Sequence, residues 1–373
     1  MTMHLGIDGR ELRAGVRTGI GRYLREVLRA AVSRGWACTL YGDLDGRPEE
    51  VPVAVRYVHI SQGWTQWWDQ VMLPRQLARD RVSIFLSPYY KGPLIGDCPV
   101  VLTIHDLFFI GYPGEAKPLH DVVMAKLGQL YARQASAIIA DSAYSKRAII
   151  DLLKVSPSKV TVVPVALAPE FTPQPLSQSQ RDRYQLHGAY VLYVGNFKPH
   201  KNLSRLLEAY ASMDKSLRAR YRLVLAGGDR ANRPEIERLA KHLGLAERLV
   251  LTGLIQDADL PSIYSGASLF VLPSLCEGFG LPVLEAMACG AAVAASDRTA
   301  IPEVLEGAGL LFNPEDPQSI KSALEQGLSS EAIRTRLREL GLARARAFTA
   351  AETSERVLDV LEQTLCRRQQ DAA

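Results

Sequence analysis

The sequence predicts an α/β protein made of two doubly wound domains, each with a parallel sheet between layers of helices. Short apolar runs alternate with amphipathic segments along the chain, which is the order expected of parallel βαβ units. At 373 residues, the chain is too long for one ordinary hydrophobic core. The stretch FTPQPLSQSQRDRY, rich in Pro, Ser and Gln, separates two such halves and is typical of a linker.

Each half supplies its own set of strands and helices. In the first half the strand candidates are LGID, ACTLYG, VAVRYVHI, VSIFLS, PVVLTIHD, AIIADS and KVTVVPV, and the helical patterns are GRYLREVLRAAV and DVVMAKLGQLYARQ. In the second half YVLYVGN, YRLVLAGG, RLVLTGL, SLFVLPS and AAVAASD alternate with SRLLEAYASM, RPEIERLAKHLG and LPVLEAMACG. We expect an N-terminal domain at 1–172, a C-terminal domain at 186–345, and a last helix at 346–373 that crosses back to the N-terminal domain. Ligands of such sheets bind at the carboxyl ends of the strands, so two facing edges predict a central cleft.

Composition excludes several classes of protein. With 47% apolar and 23% charged residues, the chain is neither disordered nor fibrous. It has no apolar run of membrane-spanning length, and its start lacks the basic-then-apolar plan of a signal peptide. A cytoplasmic protein is therefore expected. Five scattered cysteines without a CxxC pair predict free thiols rather than a disulfide framework or a metal site.

The net charge of +4 is too small to predict nucleic-acid binding, but its distribution is informative. All of the basic excess lies in the first 172 residues, where 20 Lys and Arg stand against 16 Asp and Glu. Arg22, Arg25 and Arg29 recur there at helical spacing. A solvated helix face is the interpretation we favour, and peripheral docking to an anionic membrane surface is the alternative.

The segment CEGFGLPVLEAMACG carries the strongest chemical signal. It places Glu277 and Glu285 eight positions apart, on either side of a glycine-rich turn that follows the strand candidate SLFVLPS. The amides of Gly278, Phe279 and Gly280 are expected at a helix N-terminus, where the dipole favours an anion such as a diphosphate. Glu277 would contact the group that the phosphate carries, and Glu285, in the first helical turn, would bind ribose hydroxyls. Two acids favoured by the dipole alone are the alternative.

This block resembles the E-x7-E signature of the large retaining glycosyltransferase family four, which has the GT-B fold of two Rossmann-like domains facing a cleft. YVGNFKPHKNLSRLLEAY, LVLAGG, RLVLTGLIQDADLPSIYSGASLFVLPS and IPEVLEGAGLLFNPED resemble the family in order and spacing, as do RTGIGRYLREVL and VVLTIHDLFFIGYP. The resemblance covers roughly residues 5–330, and it is strongest with bacterial mannosyltransferases of surface-polysaccharide assembly. It implies an N-terminal acceptor domain and a C-terminal nucleotide-sugar donor domain.

The resemblance also assigns cations to the donor diphosphate. The family uses an Arg directly after the Gly of the strand YVLYVG and a Lys a few residues on. Lys201 matches that Lys, Asn196 stands where the Arg is often found, and the neighbouring Lys198 would supply the missing charge. The reaction needs cations because negative charge builds up on the leaving diphosphate.

In the first half, two strand-end segments match family positions. His105 follows the strand VVLTI and matches the residue that bonds the transferred sugar; its carbonyl would stabilise a developing oxocarbenium ion. A structural histidine is the alternative, and Asp106 would either orient the ring or cap the loop. Gly15, Gly19 and Gly21 lie before the first helix, in a turn that by resemblance closes over the donor phosphates or the acceptor. A simple tight turn is the alternative.

Two other features are better explained without chemistry. The DxD that begins at Asp43 lies in a polar turn, and chance explains it better than a metal site. Trp64, Trp67 and Trp68 would form an acceptor platform or a membrane anchor, but aromatic packing of one helix is the interpretation we favour.

The resemblance therefore implies a retaining glycosyltransferase that moves a sugar from a nucleotide-sugar donor, with GDP-mannose expected first, to a hydroxyl of a glycan or lipid-linked oligosaccharide. No metal or other cofactor is expected. A GT-B-fold nucleotide-sugar epimerase and a non-catalytic nucleotide-sugar binding protein stay open as alternatives. A nicotinamide-dependent oxidoreductase is disfavoured, because neither half shows GxGxxG followed by an acid about twenty residues later.

Overall fold

The chain folds as two compact α/β units. The computed structural model describes residues 3–12, 19–43, 46, 48, 51–61, 65–108, 110, 118–228 and 231–371. The first unit holds the described residues up to Ala166 and those from Thr349 onward. The second unit is Leu167–Phe348. The first unit thus ends before the limit of residue 172 expected from the sequence, and it includes the last helix of the chain.

Within the described residues, the first unit is built on seven parallel strands in the order β3-β2-β1-β4-β5-β6-β7. These are β1 (His4–Asp8), β2 (Ala37–Gly42), β3 (Arg56–His59), β4 (Ile84–Ser87), β5 (Val100–Ile104), β6 (Ala137–Ala140) and β7 (Val160–Val162). The order reverses between β1 and β4, which pair with Ile7 opposite Leu86. Ligands of doubly wound sheets bind outside the carboxyl ends of the strands near such a reversal.

Helices cover both faces of this sheet. They are α1 (Gly19–Ser33), α2 (Thr65–Trp67), a π-helical turn (Trp68–Met72), α3 (Leu73–Arg79), α4 (Pro118–Gln134), α5 (Ala143–Leu153) and α15 (Ala350–Asp371). The apolar residues Leu24, Val27 and Leu28 of α1 pack with Leu358 and Leu361 of α15 in one core cluster. The other face is packed by α3, α4 and α5 around Trp68.

The start of α1 corrects the expectation for the first glycine-bearing turn. Gly19 and Gly21 are residues of the helix itself rather than of the loop before it. The apolar spacing that drives the helix extends back to Ile20, which packs against the core, so the helix takes in both glycines. Gly15 lies outside the described residues.

The tryptophan-rich segment packs mostly as expected. Trp68 is fully buried, and its indole Nε1 donates to the Ile60 carbonyl at 3.2 Å. Trp67, one residue earlier, is exposed, and Trp64 lies outside the described residues. Core packing therefore explains Trp68 but not Trp67. Of the DxD turn, only Asp43 is described.

The second unit has six parallel strands among its described residues, in the order β10-β9-β8-β11-β12-β13. They are β8 (Ala189–Gly195), β9 (Tyr221–Gly227), β10 (Leu249–Gly253), β11 (Leu269–Leu272), β12 (Val293–Ser296) and β13 (Leu310–Phe312). Its helices are α6 (Gln178–Tyr184), α7 (Leu203–Ser212), α8 (Lys215–Arg220), α9 (Arg233–His242), α10 (Leu260–Ser265), α11 (Leu281–Ala288), α12 (Ile301–Leu305), α13 (Pro317–Ser329) and α14 (Glu331–Ala345).

The segment expected to be a linker contains the helix α6. Ser177 and Gln180 form a capping box, in which each side chain satisfies a backbone N–H at the start of the helix. Gln180, Arg183 and Tyr184 then donate hydrogen bonds to Asp259. A polar composition rich in Ser and Gln therefore describes a helix cap and a polar contact here, and not an unstructured connection.

Candidate functional site

Two of the predicted site residues, Lys201 and Glu277, contact each other at one edge of the second sheet. The ammonium of Lys201 lies 2.6 Å from Glu277 Oε1, and the two side chains are only 12% and 9% exposed. Lys201 follows β8 and Glu277 follows β11, which are neighbouring strands. The strand order of the sheet reverses between β8 and β11, as it does between β1 and β4 in the first unit. The pair therefore occupies the position where doubly wound sheets bind ligands.

The loop that carries Lys201 is fixed by Asn202. A short 3₁₀ turn, Pro199–Lys201, follows β8, and Asn202 ends it in the left-handed region at φ +59°. The Asn202 amide donates to the carbonyls of Pro273 at 3.0 Å and Pro314 at 2.7 Å. Asparagine tolerates this backbone conformation better than most residues, and its side chain ties the loop to the segments that follow β11 and β13.

Glu277 is fixed from two sides. The Ser274 hydroxyl donates to Glu277 Oε1 at 2.6 Å, and the Glu277 backbone N–H donates to Thr299 Oγ1 at 3.1 Å. Thr299 itself has φ +58°, which is costly for a β-branched residue. Backbone strain of this kind persists where the surrounding structure over-determines it, and it clusters at functional sites.

The loop carries two cations, Lys198 and Lys201, which act on the histidine between them. Burial, followed by the charges of Lys201 and Lys198, lowers the pKa of His200 to about 4. The imidazole is therefore neutral at physiological pH. Only one carboxylate, that of Glu277, contacts Lys201 among the described ion pairs. A diphosphate that approached Lys201 would meet a cation already held in place.

Asn196 and Lys198, which stand at or near the position of the family's Arg, make contacts within the loop that follows β8. Asn196 Oδ1 accepts a hydrogen bond from the Lys198 backbone N–H at 3.2 Å, and the Asn196 carbonyl accepts one from the Tyr193 hydroxyl at 2.6 Å. The side chains of Asn196 and Lys198 are exposed. Asn196 thus shapes the turn, and Lys198 supplies charge near it.

The glycine-rich turn before α11 leads directly into the helix. Gly280 is the N-cap residue at φ +100°, a conformation that favours glycine, and its carbonyl accepts from the N–H of Val283 at 2.9 Å. Gly278 and Phe279 precede it. The Phe279 ring is buried and meets the Phe348 ring edge-on at 5.8 Å. Packing of Phe279 therefore holds the turn in place.

Glu285 lies in the second turn of α11, and not in the first as expected. The helix begins at Leu281, so the first turn contains no acid. The helix dipole consequently does little for Glu285, because its effect is confined to the first turn. Instead Glu285 Oε2 accepts a hydrogen bond from the buried Tyr264 hydroxyl at 2.9 Å. Burial and then Glu285 raise the pKa of Tyr264 well above 10, which keeps that hydroxyl protonated.

In the first unit, His105 lies at the end of β5 and pairs with an acid that the sequence did not single out. His105 Nδ1 lies 2.9 Å from Asp141 Oδ2, while its other ring nitrogen, Nε2, is buried and has no hydrogen-bond partner among the residues that the structure describes. The ring of Tyr23 meets the His105 ring edge-on at 5.6 Å. Asp106 caps the loop, since its Oδ1 accepts from the Phe108 N–H at 3.0 Å.

The protonation of His105 is set by opposing effects. Burial lowers its pKa, whereas the charge and hydrogen bond of Asp141, with smaller contributions from Asp106 and Glu11, raise it, and the net displacement is upward. Because the Asp141 carboxylate accepts at Nδ1, Nε2 is the ring nitrogen that can still form a hydrogen bond, although it is buried in the described structure.

A second buried cluster lies at the carboxyl ends of β1 and β4. Arg10 contacts Asp8 at 2.5 Å and Asp69 at 2.8 Å, and Lys91 contacts Asp69 at 3.1 Å. The Arg10 guanidinium also stacks 3.8 Å from the ring centre of Trp68. Burial raises the pKa of Asp8 even though Arg10 acts against it. The charges of the two acids and the two bases cancel, so we interpret the cluster as structural support for this edge of the sheet.

The described part of the chain contains no group of three His, Cys, Asp or Glu side chains that could hold a metal ion. Across the same residues, no helix is both long and apolar enough to cross a membrane.

Two family models match the chain. The model for glycosyl transferases group 1 matches residues 178–344, and the model for glycosyltransferase family 4 matches residues 17–171. The chain belongs to glycosyltransferase family four. Its two parallel-sheet units form the two Rossmann-like domains of the GT-B fold. The E-x7-E segment, Lys201 and its loop all fall within the first of these two matches.

Relatives and solved structures agree with this membership. The chain is 34% identical, over 69% of its length, to the serotype-specific mannosyltransferase WbdA of Escherichia coli. It is 33% identical, over 67% of its length, to the O-antigen chain mannosyltransferase B of Escherichia coli, of which the match covers 66%. The matched region spans only about a third of WbdA. HepE of Anabaena, solved with UDP-glucose, superposes with a TM-score of 0.75 at 19% identity over 97% of this chain and 100% of that one.

Proposed function

We propose that this glycosyltransferase takes a sugar from a nucleotide-diphosphate donor, with retention of anomeric configuration, and passes it to a hydroxyl of a glycan or lipid-linked oligosaccharide. GDP-mannose is the first expected donor. The observation that carries the proposal is the pairing of Lys201 with Glu277 at the sheet reversal of the second unit. The mannosyltransferase relatives support mannose, and HepE shows that a protein of this fold takes a nucleotide-sugar.

The proposed roles follow from charge and reach. Lys201 would partly exchange its contact with Glu277 for a contact with the departing diphosphate. Its charge would neutralise the diphosphate, so that no metal ion is needed at that position. Glu277, no longer held by Lys201 alone, would accept hydrogen bonds from hydroxyls of the sugar. Glu285, oriented by Tyr264, would bind the ribose. His105 would donate or accept through Nε2 at a hydroxyl of the transferred sugar.

We favour front-face displacement as the route to retention. In this reaction the bond between the anomeric carbon and the phosphate oxygen breaks as the acceptor oxygen attacks from the same face, and the departing phosphate takes the acceptor's proton. The protein then contributes positioning and charge neutralisation rather than a covalent nucleophile. The expected product of an α-linked donor is an α-linked glycan.

The test begins with donor binding. A panel of GDP, UDP, GDP-mannose and UDP-glucose is compared by thermal shift, because a ligand that binds only the folded state raises the melting temperature. Transfer is then followed as nucleotide release with and without a mannose-terminated acceptor, and the anomeric configuration of the product is read by NMR. The reaction is repeated with EDTA, which we expect to leave the rate unchanged.

Lys201→Met is the decisive variant. Loss of one preorganised group that stabilises transition-state charge should lower the transfer rate about 10²–10³-fold. Lys321→Met is the matched control, because Lys321 is also paired with a glutamate of the second unit, at 4.0 Å within α13. The control should transfer at a rate within about twofold of the wild type.

Other outcomes would overturn the proposal. Binding of GDP-mannose without nucleotide release would make the protein a sensor, and conversion of the donor without dependence on an acceptor would indicate an epimerase. A β-linked product would contradict retention. Equal losses in Lys201→Met and Lys321→Met would remove Lys201 from the reaction.

A further inference from the structure

Thr299 has a backbone conformation that its side chain disfavours. Six non-glycine residues in the described part of the chain have positive φ, and Thr299, at φ +58°, is the β-branched one among them. A β-branched side chain is a genuine outlier in this region, because its Cβ lies too close to the following carbonyl oxygen. Glycine would adopt the same turn without that cost. What threonine supplies here and glycine lacks is a hydroxyl.

The turn around Thr299, which joins β12 to α12, is fixed by backbone hydrogen bonds that do not involve its side chain. The Asp297 N–H donates to the Phe312 carbonyl at 2.9 Å. The Arg298 carbonyl accepts from the Ile301 N–H at 3.3 Å. Strained backbone persists where the surrounding structure over-determines it in this way. The turn is therefore held without the Thr299 hydroxyl.

The Thr299 hydroxyl contacts the backbone of Glu277, whose N–H donates to Oγ1 at 3.1 Å. This bond links the loop after β12 to the loop after β11, its neighbour in the sheet. At the other end of Glu277, Ser274 and Lys201 both donate to Oε1, each at 2.6 Å. Of the residues that the structure describes, none donates to Oε2. The acid is therefore held at its backbone and at one oxygen, and its second oxygen can accept from a substrate.

The location of Oε2 depends on the backbone of Glu277 as well as on the contacts of Oε1. Two donors at one oxygen still allow the carboxylate to rotate about that oxygen, so the backbone contact to Thr299 is needed to fix its direction. Hydrogen bonds weaken steeply when they are misaligned. Misplacement of a substrate-positioning group by about 1 Å can cost on the order of 10²-fold in rate. A contact that fixes this backbone therefore bears on transfer and not only on folding.

We propose that Thr299 is a positioning residue for sugar transfer, and that its hydroxyl holds the Glu277 backbone so that Oε2 accepts from a hydroxyl of the transferred sugar. The strain at Thr299 is retained because the hydroxyl is required at that place. The inference rests on the proposed function, since it needs Glu277 to contact the sugar. It adds to the site a residue on the loop after β12, outside the E-x7-E segment.

Three substitutions separate the hydroxyl from the strain. Thr299→Val keeps the branched side chain and the strained backbone but removes the hydroxyl, and it should lower kcat/KM for the donor about fivefold to tenfold, as expected for the loss of one hydrogen bond. Thr299→Gly removes both the hydroxyl and the strain, so it should melt at a higher temperature than Thr299→Val and yet transfer no faster. Thr299→Ser keeps the hydroxyl, and it should recover transfer to within about threefold of the wild type.

A double-mutant cycle tests whether Thr299 acts through Glu277. Glu277→Ala keeps the backbone N–H but removes the carboxylate, so adding Thr299→Val to it should lower transfer by no more than a further factor of about two. Binding provides an independent measurement. Thr299→Val should weaken the affinity for GDP-mannose and leave that for GDP unchanged, because only the sugar would contact Glu277. If the donor panel selects uridine, UDP-glucose and UDP take their places.

The second unit offers a matched control for each feature of Thr299. Thr252→Val removes another half-buried threonine hydroxyl, which donates to the Gly253 carbonyl at 2.9 Å at the end of the edge strand β10. It should change transfer by no more than about twofold. Gln185→Gly relieves a left-handed backbone of the same φ, +58°, at an exposed position. It should raise the melting temperature and leave transfer unchanged.

Several results would overturn the inference. These are full transfer by Thr299→Val, transfer that follows the melting temperature across the three Thr299 variants, or the same loss of transfer with and without the Glu277 carboxylate. Equal weakening of GDP and GDP-mannose binding would assign the hydroxyl to the fold of the turn alone. A wild-type protein that neither binds nor transfers a nucleotide-sugar would contradict the proposed function, and this inference with it. Wild-type transfer that Thr299→Val retains in full would contradict this inference alone.

Discussion

His105 has two acidic neighbours that act on it differently. Asp141 accepts a hydrogen bond from Nδ1. Asp106 Oδ1 instead accepts from the Phe108 N–H, and Asp106 affects His105 through its charge. Both raise the pKa of His105 against the effect of burial, and Asp141 contributes more. An acid that is hydrogen-bonded to the imidazole and an acid that acts through its charge can therefore be tested separately.

Asp141→Asn should lower the pKa of His105 by more than Asp106→Asn does. A histidine whose pKa is raised in the folded state stabilises the protein fully below its unfolded value of about 6.5, and that stabilisation is lost as pH rises through the folded pKa. The variant should therefore lose more unfolding free energy at about pH 5.5 than at about pH 8.5. NMR titration of the His105 ring and denaturant unfolding at both pH values measure this. Equal pKa changes in the two variants would contradict the assignment.

At this scale the sequence named candidate side chains but not the residues that contact them. Lys201, Glu277 and His105 were singled out from strand-end positions and family resemblance, and that resemblance is confirmed. Their roles remain proposals. Asp141 was missed, although it also follows a strand directly, in AIIADS. Its pairing with His105 depends on the register of β5 and β6, which sets Ile104 opposite Ala140 and so brings the next residues together. A single sequence does not contain that register.

Among the elements, the loop after β8 shows how one residue holds a site. Asn202 combines a left-handed backbone with two hydrogen bonds to carbonyls that follow other strands. Its side-chain oxygen also accepts from Arg205 at 2.9 Å. Lys201 is the residue immediately before it, so Asn202 fixes the backbone from which the Lys201 side chain extends to Glu277.

Asn202→Ala should reduce the free energy of unfolding by about 2–4 kcal/mol. The loss combines the left-handed backbone, about 1 kcal/mol, with buried carbonyls left without a donor. Chemical denaturation measures it. Gln185→Ala is the matched control, because Gln185 has the same left-handed backbone at φ +58° but an exposed side chain. Because glutamine and alanine are equally disfavoured in this backbone conformation, it should change the free energy of unfolding by less than about 0.5 kcal/mol. Equal losses in the two variants would show that the Asn202 amide contributes nothing.

The alternation of strands and helices could largely be predicted from the sequence, and the elements that were predicted wrongly have local causes. The strand β13 was not singled out, because LLF is too short to show a period. The helix α6 was taken for a linker because its stability comes from a capping box and from hydrogen bonds to Asp259, and not from an apolar face. Glu285 was placed one turn early because the start of α11 is set by the left-handed Gly280 rather than by the acids.

At the scale of the whole molecule, the chain leaves the first unit and returns to it. After Phe348 the helix α15 packs on α1, and its residues Val357, Leu358 and Leu361 are fully buried in the same core cluster as β1. Arg34, at the end of α1, pairs with Glu355, Asp359 and Glu362 of α15. The first core is therefore closed by residues distant in sequence. The sequence predicted a last helix that crosses back to the N-terminal domain, but not the residues against which α15 packs.

Leu358→Ala should destabilise the first unit selectively. Removing a fully buried leucine side chain costs about 2–5 kcal/mol through lost transfer energy and the cavity left behind. All four tryptophans, Trp36, Trp64, Trp67 and Trp68, occur early in the sequence. Fluorescence therefore reports the unit that Leu358 stabilises, although Leu358 lies near the other end of the chain. The midpoint of the fluorescence-detected urea transition should fall in this variant. Leu340→Ala, at an exposed position on α14 of the second unit, is the control and should change the free energy of unfolding measured in this way by no more than about 0.5 kcal/mol. An unchanged midpoint in Leu358→Ala would mean that α15 does not contribute to the first core in solution.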